Sequence, residues 1–82
     1  MEDIDSSAII GTKQVLRALQ AGTLQKVYLA EDADGFLRNR IAAAAKEAAV
    51  QLEPCGGMKA LGERCGIDVG AACVGIPRAQ EG

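Results

Sequence analysis

The sequence contains no histidine, and its 82 residues include only three cysteines, Cys55, Cys65 and Cys73. Without histidine the commonest general base at neutral pH is missing, and a zinc site would have to recruit carboxylates beside scattered thiols. The cysteine spacings contain no C-x-x-C, and an odd thiol count without a secretory leader argues against a disulfide framework. The three cysteines therefore read as small buried hydrophobes. No apolar run approaches the roughly 20 residues that cross a bilayer. No basic segment followed by an apolar one opens the chain, so a cytoplasmic protein without a membrane partner is expected. Neither G-x-G-x-x-G nor G-K-[ST] occurs, and no internal repeat is visible. Serines and thiols lack an activating base, and the acids gather in one loop with no basic partner. No enzyme, cofactor or small-molecule substrate is expected.

What is present fits one soluble domain over residues 1–82, since a chain this short has no room for a second core. Apolar residues make up 49% and charged residues 24%. The formal net charge is −2 at pH 7 and the pI is about 5.0, which by bulk charge does not suggest a nucleic-acid binder. A local basic cluster can nevertheless act within a Debye length of about 8–10 Å while acids sit elsewhere. The question is where the nine cations lie.

Taken in order, residues 1–7 read as an acidic, frayed terminus. Ser7–Ile10 is a short β-prone run ending at Gly11. Thr12 to Ala21 reads as a helix with Thr12 as N-cap and an apolar stripe of Val15, Leu16 and Leu19. Lys13, Arg17 and Gln20 share another face, Gln14 lies beside Arg17, and Gly22 is the left-handed stop. The turn Gly11-Thr12-Lys13-Gln14 thus offers unpaired N–H groups and the positive end of a helix dipole, suited to an anion.

Lys26–Ala30 is the clearest strand. In Glu31-Asp32-Ala33-Asp34-Gly35 the carboxylate spacing falls short of a calcium loop. Asp34 is better read as N-cap of a long helix from Phe36 to Val50, whose apolar face includes Phe36, Leu37, Ile41, Ala44, Ala45 and Ala48. Arg38, Arg40, Lys46 and Glu47 are read as solvated, with a nucleic-acid role as the alternative. Gln51–Glu53 is a short strand stopped by Pro54. Cys55-Gly56-Gly57 is a turn, and Met58–Cys65 is a helix ended by Gly66. Ile67-Asp68-Val69-Gly70 is either an apolar contact loop or the start of the last strand. Ala71–Ile76 completes a β-α-β-α-β-α-β order, closed by Pro77, with residues 78–82 as a tail. That alternation predicts an α/β fold, an α/β/α sandwich. Strand order is not readable from the pattern.

Three stretches together carry a resemblance: Ile10-Gly11-Thr12-Lys13-Gln14; Val27-Tyr28-Leu29-Ala30 with the acidic run through Asp34; and Leu61-Gly62-Glu63-Arg64-Cys65-Gly66-Ile67-Asp68-Val69-Gly70-Ala71-Ala72. In this order and spacing, over about residues 8–77, the chain resembles the ribosomal protein family called L-seven-Ae (L7Ae), which includes the L30e proteins. It is most similar to the short bacterial branch of ribosome-associated members. The resemblance implies a three-layer α/β/α sandwich with a four-stranded mixed sheet, and binding to kink-turn RNA, a sharply bent helix–bulge–helix with sheared G·A pairs.

Carried over by residue, the resemblance implies that Gly11 and Thr12 approach the RNA backbone. Lys13 and Gln14 occupy slots where archaeal and eukaryotic members read G·A pairs with Asn and Glu. Arg17 matches a basic residue one turn on, and Asp34 falls near an acidic position of the flipped-base pocket. Ile67, Asp68, Val69 and Gly70 match a loop packed on the bulge. Val69 stands where some members carry a basic residue, and Gly35 where proline is frequent. The implied partners are kink-turn RNA, ribosomal RNA and the ribosome. A protein-interaction module of the same fold that has lost RNA is the alternative, supported by the low pI and Val69.

Overall fold

A computed structural model describes residues 7–78. The acidic terminus before Ser7 and the tail beyond Arg78 lie outside the described residues. The elements are β1 (Ile9–Ile10), α1 (Thr12–Ala21), β2 (Leu24–Leu29), α2 (Gly35–Glu47), β3 (Gln51–Pro54), α3 (Met58–Arg64) and β4 (Cys73–Pro77). Their order is the expected alternation.

The sheet runs β1-β4-β2-β3. β4 is antiparallel to both β1 and β2, whereas β3 is parallel to β2. The sheet is therefore mixed. The late strand β4 enters between β1 and β2, which no local pattern in the chain signals. Side chains alternate across the sheet with period two. Val27, Leu29 and Cys73 pack with Val15, Leu19, Ile41, Ala45 and Val50 under α1 and α2. Tyr28, Val74 and Ile76 pack with Leu61 under α3 on the opposite face. These are the three layers. Gly75 makes room for one of the largest core side chains, since a Cβ there would sit 2.6 Å from Leu24 Cδ1.

Several boundaries differ from expectation for physical reasons. β1 is shorter than Ser7–Ile10, because pairing with β4 begins at Ile9 opposite Gly75. β2 begins at Leu24 rather than Lys26, drawn into the ladder by pairing with Pro77 across an irregularity. β4 starts at Cys73, so Ile67–Gly70 is a loop and not the head of a strand. Both prolines end their strands from inside, at Pro54 and Pro77.

The long helix stops at Glu47, three residues before Val50. Ala49 takes φ 58, the left-handed stop usually given to glycine. Val50 N–H then closes the turn onto Ala45 O at 2.8 Å. Phe36 does not join the apolar face of α2. It is 74% exposed, whereas Leu37 in the same turn packs against the α3-side cluster.

Candidate functional site

β1, β2 and β3 run in one direction and β4 in the other, so three strands end and one begins at a single edge of the sheet. Each helix starts there. Backbone hydrogen bonds tie the edge together. Gly11 N–H donates to Cys73 O (3.4 Å), Ala30 N–H to Ala72 O (2.9 Å), and Ala71 N–H to Met58 O (3.0 Å). Outside the strand ends of α/β sheets is where ligands commonly sit.

The first part of the edge is the β1–α1 turn. Gly11 is the residue before the helix, at φ 111, and no side chain caps the first turn of α1. Thr12 is already the first helical residue and not the cap expected of it. Its hydroxyl points inward, where Cys73 Sγ donates to Oγ1 at 3.9 Å. Lys13, Gln14 and Arg17 are exposed. The Gln14 side chain folds back over Gly11, so a Cβ there would lie 3.1 Å from its Oε1. The dihedral therefore favours glycine, and a Cβ there would also make the Gln14 side chain shift.

The second part is the acidic loop, and the sequence concealed half of its role. Asp34 caps α2 as expected, accepting from Leu37 N–H at 3.2 Å. Asp32 caps α3, 26 residues on, accepting from Met58 N–H at 2.7 Å. The α3 start has no cap of its own at Gly57, which lies against the Asp32 carboxylate. Nothing local could reveal this, because the two segments meet only through the parallel pairing of β2 with β3. Arg38 Nη1 donates to Glu31 O at 2.7 Å and holds the loop from the other side. Two of the three helix starts are therefore filled by carboxylates, and the α1 start is left open to an outside anion. Among the described residues no group of three or more His, Cys, Asp or Glu side chains is placed to hold a metal.

The third part is the Ile67–Gly70 loop. Ile67 is half-buried against the α3-side core, while Asp68, Val69 and Gly70 are exposed, Val69 at 70%. The loop lies directly on α3. A Cβ at Gly62 would run into the Val69 carbonyl, and one at Gly70 would meet Met58 Cβ at 3.2 Å. The predicted residues from Gly11 to Arg17, Asp34 and Ile67 to Gly70 thus belong to segments that the fold gathers at one edge. The exposed Phe36, in the first turn of α2, belongs to that edge too and was assigned to the core by its hydrophobicity alone.

The thiols differ from their expected burial. Cys73 is buried, but Cys55 and Cys65 are half-buried. Arg64 Nη1 donates to Cys55 Sγ at 2.6 Å while its guanidinium stacks 5.0 Å from the Tyr28 ring centre. Burial pushes the Cys73 and Cys65 thiols up, opposed at Cys73 by the Thr12 contact and at Cys65 by nearby Arg64.

The family model described as "Ribosomal protein L7Ae/L30e/S12e/Gadd45 family" matches residues 5–81. Among curated proteins, the "RNA-binding protein YbxF" of Geobacillus stearothermophilus is 49% identical over 70 residues, covering 85% of each chain. An RNA-binding protein of Caldanaerobacter subterraneus subsp. tengcongensis is 37% identical over 71 residues, covering 87% of each chain. Among solved structures, a Bacillus halodurans protein described as having unknown function superposes with TM-score 0.82 at 22% identity, covering 88% of this chain and 72% of that one. The Giardia lamblia 15.5kD RNA binding protein also gives 0.82, at 23% identity, covering 89% and 62%. At that level of identity these two structures attest the fold.

Proposed function

Because the chain belongs to the ribosomal protein L7Ae/L30e/S12e/Gadd45 family, we propose that it is a non-catalytic RNA-binding protein that recognises kink-turn motifs in structured RNA. Ribosomal RNA is the proposed natural source and the ribosome the proposed place of action. The observation that carries this reading is the open start of α1 at Gly11, beside exposed Lys13, Gln14 and Arg17, when the other two helix starts carry Asp34 and Asp32. A phosphate docks on the free N–H groups and on Lys13 and Arg17, while Lys13 and Gln14 reach base edges. Across the edge, Val69 and Ile67 offer an apolar surface to an unstacked base, next to the backbone of Asp68 and Gly70. Asp34 borders the same space from the α2 side. Shape and splayed bases rather than a large positive field select such an RNA, which reconciles the reading with a pI of about 5.0.

Titration by calorimetry or gel shift against a kink-turn RNA and an unkinked duplex of equal length tests the reading. Micromolar or tighter binding to the kink-turn and much weaker binding to the duplex are expected. Equal affinity for the two would overturn it. Lys13→Ala is expected to reduce the slope of log affinity against log salt by roughly 0.7–0.9, one phosphate contact. An unchanged slope would remove Lys13 from the phosphate contacts.

A further inference from the structure

α1 and α2 lie side by side on one face of the sheet, and a groove runs between their outer faces. Its walls include Lys13, Arg17 and Gln20 from α1 and Arg40, Ala44 and Glu47 from α2. Both helices start at the functional edge, so the groove has a direction. Lys13, Arg17 and Arg40 stand at the end nearer the Gly11 turn, and Gln20 and Glu47 at the far end. Small side chains at its floor, such as Ala44, leave it open.

The charges in this layer are unlike those of the whole chain. α1 contains no acid, and α2 contains one, Glu47, in its last turn. Against that single acid the two helices carry Lys13, Arg17, Arg38, Arg40 and Lys46. The one ion pair among the described residues joins Lys26 to Glu53, on other elements. Lys13, Arg17 and Arg40 are exposed and have no acidic partner there.

We infer that the α1–α2 groove is a second RNA-contact surface, which holds a phosphodiester backbone through Arg40 together with Arg17 and Lys13 as the strand leaves the Gly11 turn. The inference rests on the RNA-binding reading above and extends it from the sheet edge onto the helical layer. Three cations with no acidic partner among the described residues, around one open groove, fit a chain of phosphates spaced along it. The groove is continuous with the open α1 start, so one strand can pass from the edge into it without leaving the surface. Glu47 sets the far limit, where a further phosphate would meet a carboxylate. Arg40 is the discriminating residue, because it lines the groove and belongs to none of the segments assigned to the edge.

The test uses Arg40→Gln in the full chain, with two kink-turn RNAs that differ in the length of the stem flanking the bend. With the long stem, Arg40→Gln is expected to lower the salt slope by roughly 0.7–0.9, so that the affinity lost between 50 and 200 mM salt shrinks about threefold. With the stem trimmed back to the bend, wild type and variant are expected to bind alike. Preference for the kink-turn over duplex stays intact in the variant. An unchanged slope on the long-stem RNA overturns the groove inference, as does an equal Arg40 effect on both RNAs. Loss of kink-turn preference in the wild-type protein would overturn the RNA reading itself, so the two failures are distinct. Thermal melting of the variant matches wild type if the fold is intact, as expected for an exposed side chain. A stabilised double variant, Arg40→Gln with Ala49→Gly, gives the same reading should the single variant melt early.

Discussion

Ala49 ends α2 in a conformation that costs an L-residue about 1–2 kcal/mol, because its Cβ crowds the following carbonyl. Glycine removes that crowding and gives back roughly half of the gain through its greater freedom in the unfolded chain. Ala49 is exposed and packs in neither core cluster. Ala49→Gly is therefore expected to stabilise the fold by about 0.5–1 kcal/mol, raising the melting temperature by a few degrees. A lower melting temperature by scanning calorimetry would show that the alanine makes a contact worth more than its strain. The same scale explains why residue identity misled at Phe36. Hydrophobicity assigns a phenylalanine inward, but its place on the first turn depends on where the helix starts, and the Asp34 cap fixes that start at Gly35. Hydrophobic periodicity identifies a face; the cap sets its phase against the sheet.

At the scale of elements, α3 and the Ile67–Gly70 loop meet at two glycines, Gly62 and Gly70, that leave no room for a Cβ without a shift. Gly62 is buried, and the atom a Cβ would strike is backbone rather than the movable tip of a side chain. Gly62→Ala is expected to cost about 2 kcal/mol in urea denaturation, within the usual range for overpacking. It should also shift the loop and weaken RNA binding beyond what the stability loss explains at saturating folded protein. Unchanged stability would mean that the loop slides freely along α3. The elements themselves were legible in the sequence, because punctuation is local. Gly11, Gly22, Asp34, Gly57, Gly66 and the two prolines mark ends that the structure keeps to within a few residues. The insertion of β4 between β1 and β2 was not legible, nor was the Asp32 cap on α3. Both are long-range pairings whose energy appears only once the sheet has formed. The edge residues could be named from the resemblance, but their convergence follows from strand direction, which the sequence leaves open.

For the whole molecule, the low pI and the basic helical layer are compatible because charge is segregated. The shortest principal extent is 19 Å, about twice the Debye length at physiological salt. Glu53, Glu63 and Asp68 lie outside the α1–α2 layer, and exposed charges more than a Debye length apart are largely screened from one another. At pH 7 and an ionic strength of about 0.1 M, where the Debye length is about 10 Å, the protein, though formally −2, is expected to be retained on a heparin column. Replacing Lys13, Arg17 and Arg40 together by glutamine should release it into the flow-through. Equal retention of both proteins would place the basic character elsewhere on the surface.

The sheet order has one more consequence, for how the chain can be handled. β1 and β4 are antiparallel neighbours, with Ile9 opposite Gly75, and Arg78 N–H bonds Thr23 O at 2.8 Å beside the far end of α1. The described chain therefore enters and leaves on adjacent strands, and its exit lies away from the edge that gathers Gly11, Asp34 and Val69. A fluorescent protein or surface tether joined after Arg78 would leave that edge free. A short linker from there to Ser7 could close the backbone into a ring, with new ends cut at the exposed Gly22 turn, and every segment of the proposed RNA contact would stay uncut.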